Sequence, residues 1–315
     1  MAIRTVFMGT AEIAAPLILQ LSSSDSVELI AVVSQPDRPK GRKLKLQPTA
    51  TKLVAEELAV PVYQPEKCRS PEFLDQLREW QPDVIVVMAY GQILPQTLLD
   101  IPEHGCLNVH TSILPNYRGA APIQWAIWNG DEKTGVTVMK MDAGMDTGDI
   151  VAIRETPIEP TDSAATIHDR LGEIGGELLV DVLPKYVAGE IELQPQDDSQ
   201  SSHARKITKE DARLDWSRTN VQLWNQIRAF TPWPGTNCIW PVENIELKLK
   251  ILTAEPVDGP NVSPGQVMKA DREGLIVTCG EACLRILELQ KEGGKRLAAR
   301  EFLAGNKLVP GTQLR

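Results

Sequence analysis

The chain has 315 residues, more than a single hydrophobic core comfortably serves, and its 42% hydrophobic and 24% charged content is that of globular rather than disordered protein. No apolar run approaches the roughly 20 residues that span a bilayer, and five cysteines (Cys68, Cys106, Cys238, Cys279 and Cys283), odd in number, without a Cys-x-x-Cys and with no His at zinc-finger spacing, argue against a disulfide framework and a structural metal. The net charge of −9 argues at face value against a nucleic-acid partner.

Residues 3–8 read as a short buried strand ended by Gly9-Thr10. The chain enters this strand directly, so no signal peptide is expected, and the cysteine usage reads as that of a reduced cytosol, so a cytoplasmic location is expected. A helix comes next, with Ile13, Leu17 and Leu21 on one face, then a strand over 29–33. From Gln35 to Pro48 the composition is Pro- and Lys-rich, which reads as loop. Helical patterns over 51–58 and 71–80 flank a short extended piece at 60–63. Val84-Ile85-Val86-Val87-Met88 is an uninterrupted apolar run, as in a strand covered on both faces. Strands are expected again over 107–110, 135–141 and 150–155, with a helix over 120–128.

A long helix is expected over 164–186, its apolar positions Ile167, Leu171, Ile174, Leu178, Val182 and Tyr186 falling on one face. Thr161, Asp162 and Ser163 supply its N-cap candidates. Strand and helix alternate, so the fold class is α/β with a parallel, Rossmann-like sheet. Residues 190–207 are polar and read as a linker between a first domain, 1–189, and a second domain, 208–315. That second domain opens with a helix over 221–230. Short strands broken by turn signals follow, as in a small β-rich barrel.

The total charge hides an asymmetry. Residues 205–315 carry 17 Lys and Arg against 13 Asp and Glu, whereas residues 1–204 carry 16 against 29. Within the acidic part, Arg38, Lys40, Arg42, Lys43, Lys45 and Lys52 cluster. Such a run serves either as a solvated loop or as a phosphate-holding patch.

Asn108 and His110 stand two apart on an expected strand, so both side chains point to the same side. The strand ends at once, and ligands of parallel α/β sheets sit beyond strand C-termini. A carboxamide there can donate to a developing oxyanion, and an imidazole can move protons near neutral pH. The same pair also serves as strand-end side chains satisfying backbone groups; at the level of spacing both readings stand. Residues 141–149, Met-Asp-Ala-Gly-Met-Asp-Thr-Gly-Asp, follow another strand with glycines that permit a tight turn. Their acids do not match EF-hand spacing, so no metal is expected. A carboxylate in this turn is suited to orient His110; the alternative is a plain Asp-Gly turn. The chain lacks the glycine patterns of dinucleotide and phosphate loops, and it lacks Gly-x-Ser-x-Gly and His-Glu-x-x-His.

Asn108-Val109-His110-Thr111-Ser112-Ile113-Leu114-Pro115-Asn116-Tyr117-Arg118-Gly119 resembles the signature of the folate-dependent formyltransferases, with Ile113 where Leu is usual. Residues 142–148 resemble that family's Asp-x-Gly-x-Asp-Thr-Gly motif. Segments 35–39, 89–91, 119–124 and 228–235 are similar to its methionyl-tRNA branch; Ala11, where Pro is usual, is a departure.

The resemblance implies an enzyme that moves a formyl group from 10-formyltetrahydrofolate to the amine of initiator methionyl-tRNA, with no metal, acting as a monomer. It implies that Asn108 donates to the formyl oxygen and that His110, held by Asp146, assists charge and proton transfer. Folate contacts are implied for Ser112, Ile113, Leu114, Pro115, Met88, Tyr90 and Gly91. tRNA contacts are implied for Arg38, Lys40, Arg42, Lys43 and Lys45, and for the second domain, which is similar to an OB-like barrel. Formyltransferases or hydrolases acting on other acceptors share the Asn-x-His and Asp pattern. A non-catalytic RNA-binding protein would need no proximity among the three residues.

Overall fold

The computed structural model describes residues 2–40, 45–243, 245–260 and 262–315, apart from the Lys40 side chain. The chain forms two compact units that are not successive in sequence. The first comprises 1–122, 133–157 and 168–204; the second comprises 123–132, 158–167 and 205–315.

In chain order the strands and helices of residues 1–204 begin with β1 (Ile3–Gly9), α1 (Ala15–Ser22) and β2 (Val27–Val33). β3 (Arg38–Lys40), β4 (Lys45–Gln47), α2 (Ala50–Glu57) and β5 (Val62–Tyr63) follow. Then come α3 (Pro71–Trp80), β6 (Val84–Met88), α4 (Gln96–Leu99) and β7 (Cys106–His110). β8 (Arg118–Gly119), α5 (Pro122–Asn129), β9 (Lys133–Lys140), β10 (Ile150–Pro157), α6 (Ala164–Val187) and β11 (His203–Ala204) complete this part.

Seven strands form one sheet in the order β10-β9-β7-β6-β1-β2-β5. β7, β6, β1, β2 and β5 pair in parallel. Successive strands run one way from β1 through β2 to β5 and the other way from β6 to β7. The topological switch therefore falls between β1 and β6. Both are covered on their two faces. Val6 and Met8 of β1 pack with Ile85 and Val87 of β6 and with Phe73 and Leu77 of α3. Phe7 and Val86, pointing the opposite way, are also fully buried.

The α/β class expected from sequence is the observed one, but the sheet is mixed. β9 runs antiparallel to both β7 and β10. Residues 141–149 join β9 to β10 without a helix, and a connection that short returns a strand only antiparallel.

The long helix α6 matches its expected span, with Ser163 Oγ accepting the Thr166 N–H ahead of its first turn. Its buried face is turned slightly from the one read in sequence. Leu179 and Leu183 are fully buried, whereas Ile174, Val182 and Tyr186 are only half-buried. Glycines cause the difference. A Cβ at Gly175 would lie 3.0 Å from Val109 and one at Gly172 3.0 Å from the Ile13 carbonyl, so the helix lies close through its small residues. Residues 38–47, read as loop, contain an antiparallel pair in which Arg38 faces Gln47 and Lys40 faces Lys45. Three-residue strands are too short to show a period.

The second unit continues through α7 (Asn220–Ala229), β12 (Thr236–Val242), β13 (Ile245–Val257) and β14 (Val267–Asp271). It ends with β15 (Gly274–Thr278), β16 (Cys283–Lys291), β17 (Arg296–Ala298) and α8 (Ala299–Gly305). Its sheet runs β12-β13-β16-β15-β14, all antiparallel, with β17 on β16. Residues 311–315 tie the two edges together. Arg315 exchanges backbone hydrogen bonds with Ile239 of β12, and the Val267 N–H of β14 donates to the Thr312 carbonyl. The sheet so closed encloses Leu223, Ile227, Trp240, Ile251, Val277, Leu284 and Phe302, the β-rich barrel expected from the spacing of turns. Among the described residues no helix is long and apolar enough to cross a membrane.

Candidate active site

The switch point places the C-terminal ends of β1, β6 and β7 side by side. The chain leaves β6 through Ala89, φ 49°, and Gly91, φ 89°. Thr10, just past β1, donates its N–H to the Ala89 carbonyl and its hydroxyl to the Tyr90 carbonyl. Beyond these ends lies a cavity of about 380 Å³, lined among others by Ile13, Met88, Ala89, Gly91, Asn108, His110, Gly119 and Asp146. The pleat of β7 turns Asn108 and His110 into it together.

Asp146 enters from the turn between β9 and β10. Its φ of 55° lies in the left-handed region, which costs a non-glycine residue about 1–2 kcal/mol. This conformation carries the carboxylate back over β7. Oδ2 accepts the Gly119 N–H at 2.8 Å, and Oδ1 accepts the Asn108 amide at 3.3 Å and lies 3.7 Å from His110 Nδ1. The neighbouring Gly148 admits no side chain, since a Cβ there would lie 1.7 Å from the Lys140 carbonyl.

The other imidazole nitrogen, Nε2, is 3.0 Å from the Tyr117 carbonyl. A carbonyl only accepts, so Nε2 carries a proton. Nδ1, on the carboxylate side, is the nitrogen left to exchange one. His110 is 7% exposed and the Asp146 side chain 15%, so these groups interact where water screens them weakly. The three residues therefore form one connected set in one cavity, with a second Asn108 amide hydrogen for a ligand oxygen.

The other expected site residues are placed differently from one another. Met88 and Gly91 line the cavity. The Tyr90 ring turns away into the core beside Leu94 and Cys68, 2% exposed, and its hydroxyl has no hydrogen-bond partner among the described residues. Only its backbone reaches Thr10. Ser112, Ile113, Leu114 and Pro115 do not line this cavity. They build the turn after β7, where Ser112 Oγ donates to the Asn116 carbonyl at 2.6 Å, the Leu114 N–H donates to Thr137 Oγ1, and the Leu114-Pro115 bond is cis.

Arg38 and Lys45 lie exposed on the β3–β4 hairpin, and Lys40 belongs to β3. Arg42, Lys43 and the Lys40 side chain lie outside the described residues. Lys52 points inward: Nζ is 2.7 Å from Asp37 Oδ2 and 3.1 Å from Gln64 Oε1. Hydrogen bonds from Gln64 and Lys52 hold the Asp37 carboxyl below the usual carboxylate range.

No cysteine is poised for nucleophilic chemistry. All five are free and buried, and burial pushes every thiol up, those of Cys106, Cys238 and Cys279 to about 12. An amide, an imidazole and a carboxylate converging on a half-apolar cavity suit transfer of an acyl-like group directly between two bound substrates.

The family model described as "Formyl transferase" matches residues 3–183, and that described as "Formyl transferase, C-terminal domain" matches residues 206–307. The chain belongs to the formyltransferase family. Among curated formyltransferases, it is 49% identical over 312 residues to the methionyl-tRNA formyltransferase of Geobacter sulfurreducens, covering 99% of this chain and 96% of that one. It is 47% identical to that of Geobacter metallireducens, covering 98% and 97%. Among solved structures it resembles the N-formyltransferase from Helicobacter canadensis, in complex with folinic acid and dTDP-3-aminofucose. That likeness has a TM-score of 0.66 and 20% identity, and covers 94% of this chain and 100% of that one. At that identity it speaks for the formyltransferase fold alone.

Sequence reasoning missed the backbone groups of this candidate site. The Tyr117 carbonyl and Gly119 N–H come from a turn in which both residues have positive φ, 61° and 119°. The glycine was the visible signal. Gln196, whose side-chain nitrogen donates to the Asp146 carbonyl at 2.9 Å, was also missed, because the residues around it have linker composition.

Proposed function

We propose that this chain transfers the formyl group of 10-formyltetrahydrofolate to the α-amine of initiator methionyl-tRNA, giving N-formylmethionyl-tRNA. The convergence of Asn108, His110 and Asp146 in one cavity at the strand ends carries the chemical part of this reading. The acceptor follows from near-full-length similarity to relatives named methionyl-tRNA formyltransferase.

The cavity suits the donor in kind: Ile13 and Met88 offer apolar wall to a flat ring system, and Asn108 and His110 offer the polar end. The methionyl amine attacks the formyl carbon, a C–N bond forms, and the carbonyl oxygen gathers negative charge. Asn108 donates to that oxygen. The attacking nitrogen sheds a proton, and the bond from the formyl carbon to N10 of the folate breaks with that nitrogen taking up a proton. His110 Nδ1 moves the proton, while the Tyr117 carbonyl fixes the ring and Asp146 stabilises its charged form. Holding both substrates in register supplies much of the rate.

In this reading residues 1–189 hold the catalytic machinery. The basic hairpin and residues 208–315 meet the tRNA, residues 190–207 join the two parts, and the enzyme works as a cytoplasmic monomer. Purified protein with 10-formyltetrahydrofolate should formylate charged initiator methionyl-tRNA and leave the folate largely intact in water alone. Folate turnover without tRNA formylation would move the acceptor to another amine or to water.

A further inference from the structure

We propose that Gln196 is a positioning residue for the proposed reaction, the keystone of a strap over residues 194–204 that sets the Asp146 carboxylate against Asn108 and His110. The inference rests on the catalytic reading of those three residues.

A primary amide has two hydrogens to donate and a carbonyl oxygen with two lone pairs. Gln196 uses all four. Its Nε2 donates to the Asp146 carbonyl at 2.9 Å and the Gly148 carbonyl at 2.7 Å. Its Oε1 accepts from Arg118 Nε at 3.0 Å and Nη2 at 2.8 Å. Arginine only donates and backbone carbonyls only accept, so the amide has one orientation that works. The side chain thus bolts the turn that carries Asp146 to the turn that carries Gly119.

Backbone pairing fixes the strap on either side of this bolt. Gln194 exchanges two hydrogen bonds with Ile150, at 2.8 and 2.9 Å, just past the Asp146 turn. Ser202 accepts the Arg118 N–H at 2.9 Å through its carbonyl and the Tyr117 N–H at 2.9 Å through its hydroxyl. His203 and Ala204 pair in parallel with Arg118 and Gly119. A Cβ on Gly119 would lie 2.9 Å from the Ala204 carbonyl, so the approach tolerates no side chain there. Tyr117 and Gly119 are the residues whose carbonyl and N–H reach His110 and Asp146.

Asp146 needs such a hold. Its left-handed backbone is unfavourable for a residue with a side chain and persists where surroundings enforce it. Gln196 itself does not line the cavity, so it acts through Asp146.

The test is steady-state kinetics of the full chain with Gln196→Ala and Gln196→Glu, with Asp146→Asn alongside and folding checked by circular dichroism. Gln196→Ala should lower kcat by about 10²-fold, the scale of a misplacement near 1 Å, with KM for folate and for tRNA unchanged. Gln196→Glu keeps the shape and the grip of Arg118 but sets an acceptor against two carbonyls. It should lower kcat at least as far, and its near-identical volume keeps the test open should the alanine variant fail to fold. Wild-type kcat in a folded Gln196 variant, while Asp146→Asn is crippled, overturns the proposal. So does a rise in KM for tRNA at constant kcat, which would assign the strap to tRNA binding. Normal turnover by Asp146→Asn removes instead the catalytic reading beneath the proposal, and the proposal with it.

Discussion

Asp146 joins the other two members of the proposed catalytic set, since one of its oxygens faces both the Asn108 amide and the His110 ring. Replacing Asn108 with Ala removes the donor aimed at the developing oxyanion. Loss of one such donor costs typically about 10²–10³ in rate, and single-turnover formyl transfer should show a fall of that order. His110→Ala and Asp146→Ala should each cripple the same step. Thermal unfolding should move little, because the hydrophobic packing of β6 and β7 does not depend on these polar side chains; normal turnover by any of the three would strike that residue from the mechanism. Period-two alternation made the Asn108 and His110 pair legible in sequence. The distance of Asp146 from them was not legible, because a nine-residue turn has no periodicity and its closure depends on Gly119, Gln196 and a positive φ.

The β3–β4 hairpin shows that the number of basic residues and their availability differ. Arg38 and Lys45 are exposed, Arg38 in a loose, solvated ion pair with Glu66 at 3.8 Å, whereas Lys52, in the same sequence cluster, is held less exposed by Asp37 and Gln64 at the base of the hairpin. If the hairpin meets phosphates, Arg38→Ala or Lys45→Ala should flatten the plot of log affinity for tRNA against log salt by roughly 0.7–0.9 for each phosphate no longer neutralised. Lys52→Met should weaken binding by loosening the hairpin's base yet leave that slope unchanged. A salt-independent affinity of the wild type would contradict the phosphate assignment. A second ion pair, Arg205 with Asp211, contributes to acid stability. Hydrogen bonds from Arg205 and Thr208 outweigh burial and hold the Asp211 carboxyl at about 2, below its usual 3.8. The depressed value makes this contribution fully present above about pH 4 and lost as the pH falls through 2. Urea midpoints of wild type and Asp211→Asn should therefore differ at pH 6 and converge towards pH 2. A gap independent of pH would mean that the substitution costs packing rather than charge.

Across the whole chain, composition divides the molecule where the polar stretch begins, but cohesion divides it otherwise. Residues 123–132 and 158–167 belong with 205–315, although both are bracketed in sequence by segments of the first unit. The reasons are contacts no local pattern announces. The Trp128 ring lies 4.8 Å from Phe230, edge to face, and the Arg218 guanidinium lies 5.9 Å from the same indole. Trp125 Nε1 donates to the Arg205 carbonyl, and Arg228 donates to the carbonyls of Glu159 and Asp162. The longer helix and strand spans were legible because each is written in its own segment; the two- and three-residue strands β3, β4 and β11 were not, and neither are partners this far apart in the chain. A fragment ending at residue 204 tests this organisation. It keeps every strand of the seven-stranded sheet but strips Trp128 of Phe230, a pairing worth about 0.5–1.5 kcal/mol beyond its buried area, and leaves the Glu159 and Asp162 carbonyls without Arg228. The fragment should expose an apolar patch around α5, bind a hydrophobic dye and melt well below the full chain. A fragment as stable as the full chain would show that 123–132 and 158–167 hold their conformation without residues 205–315.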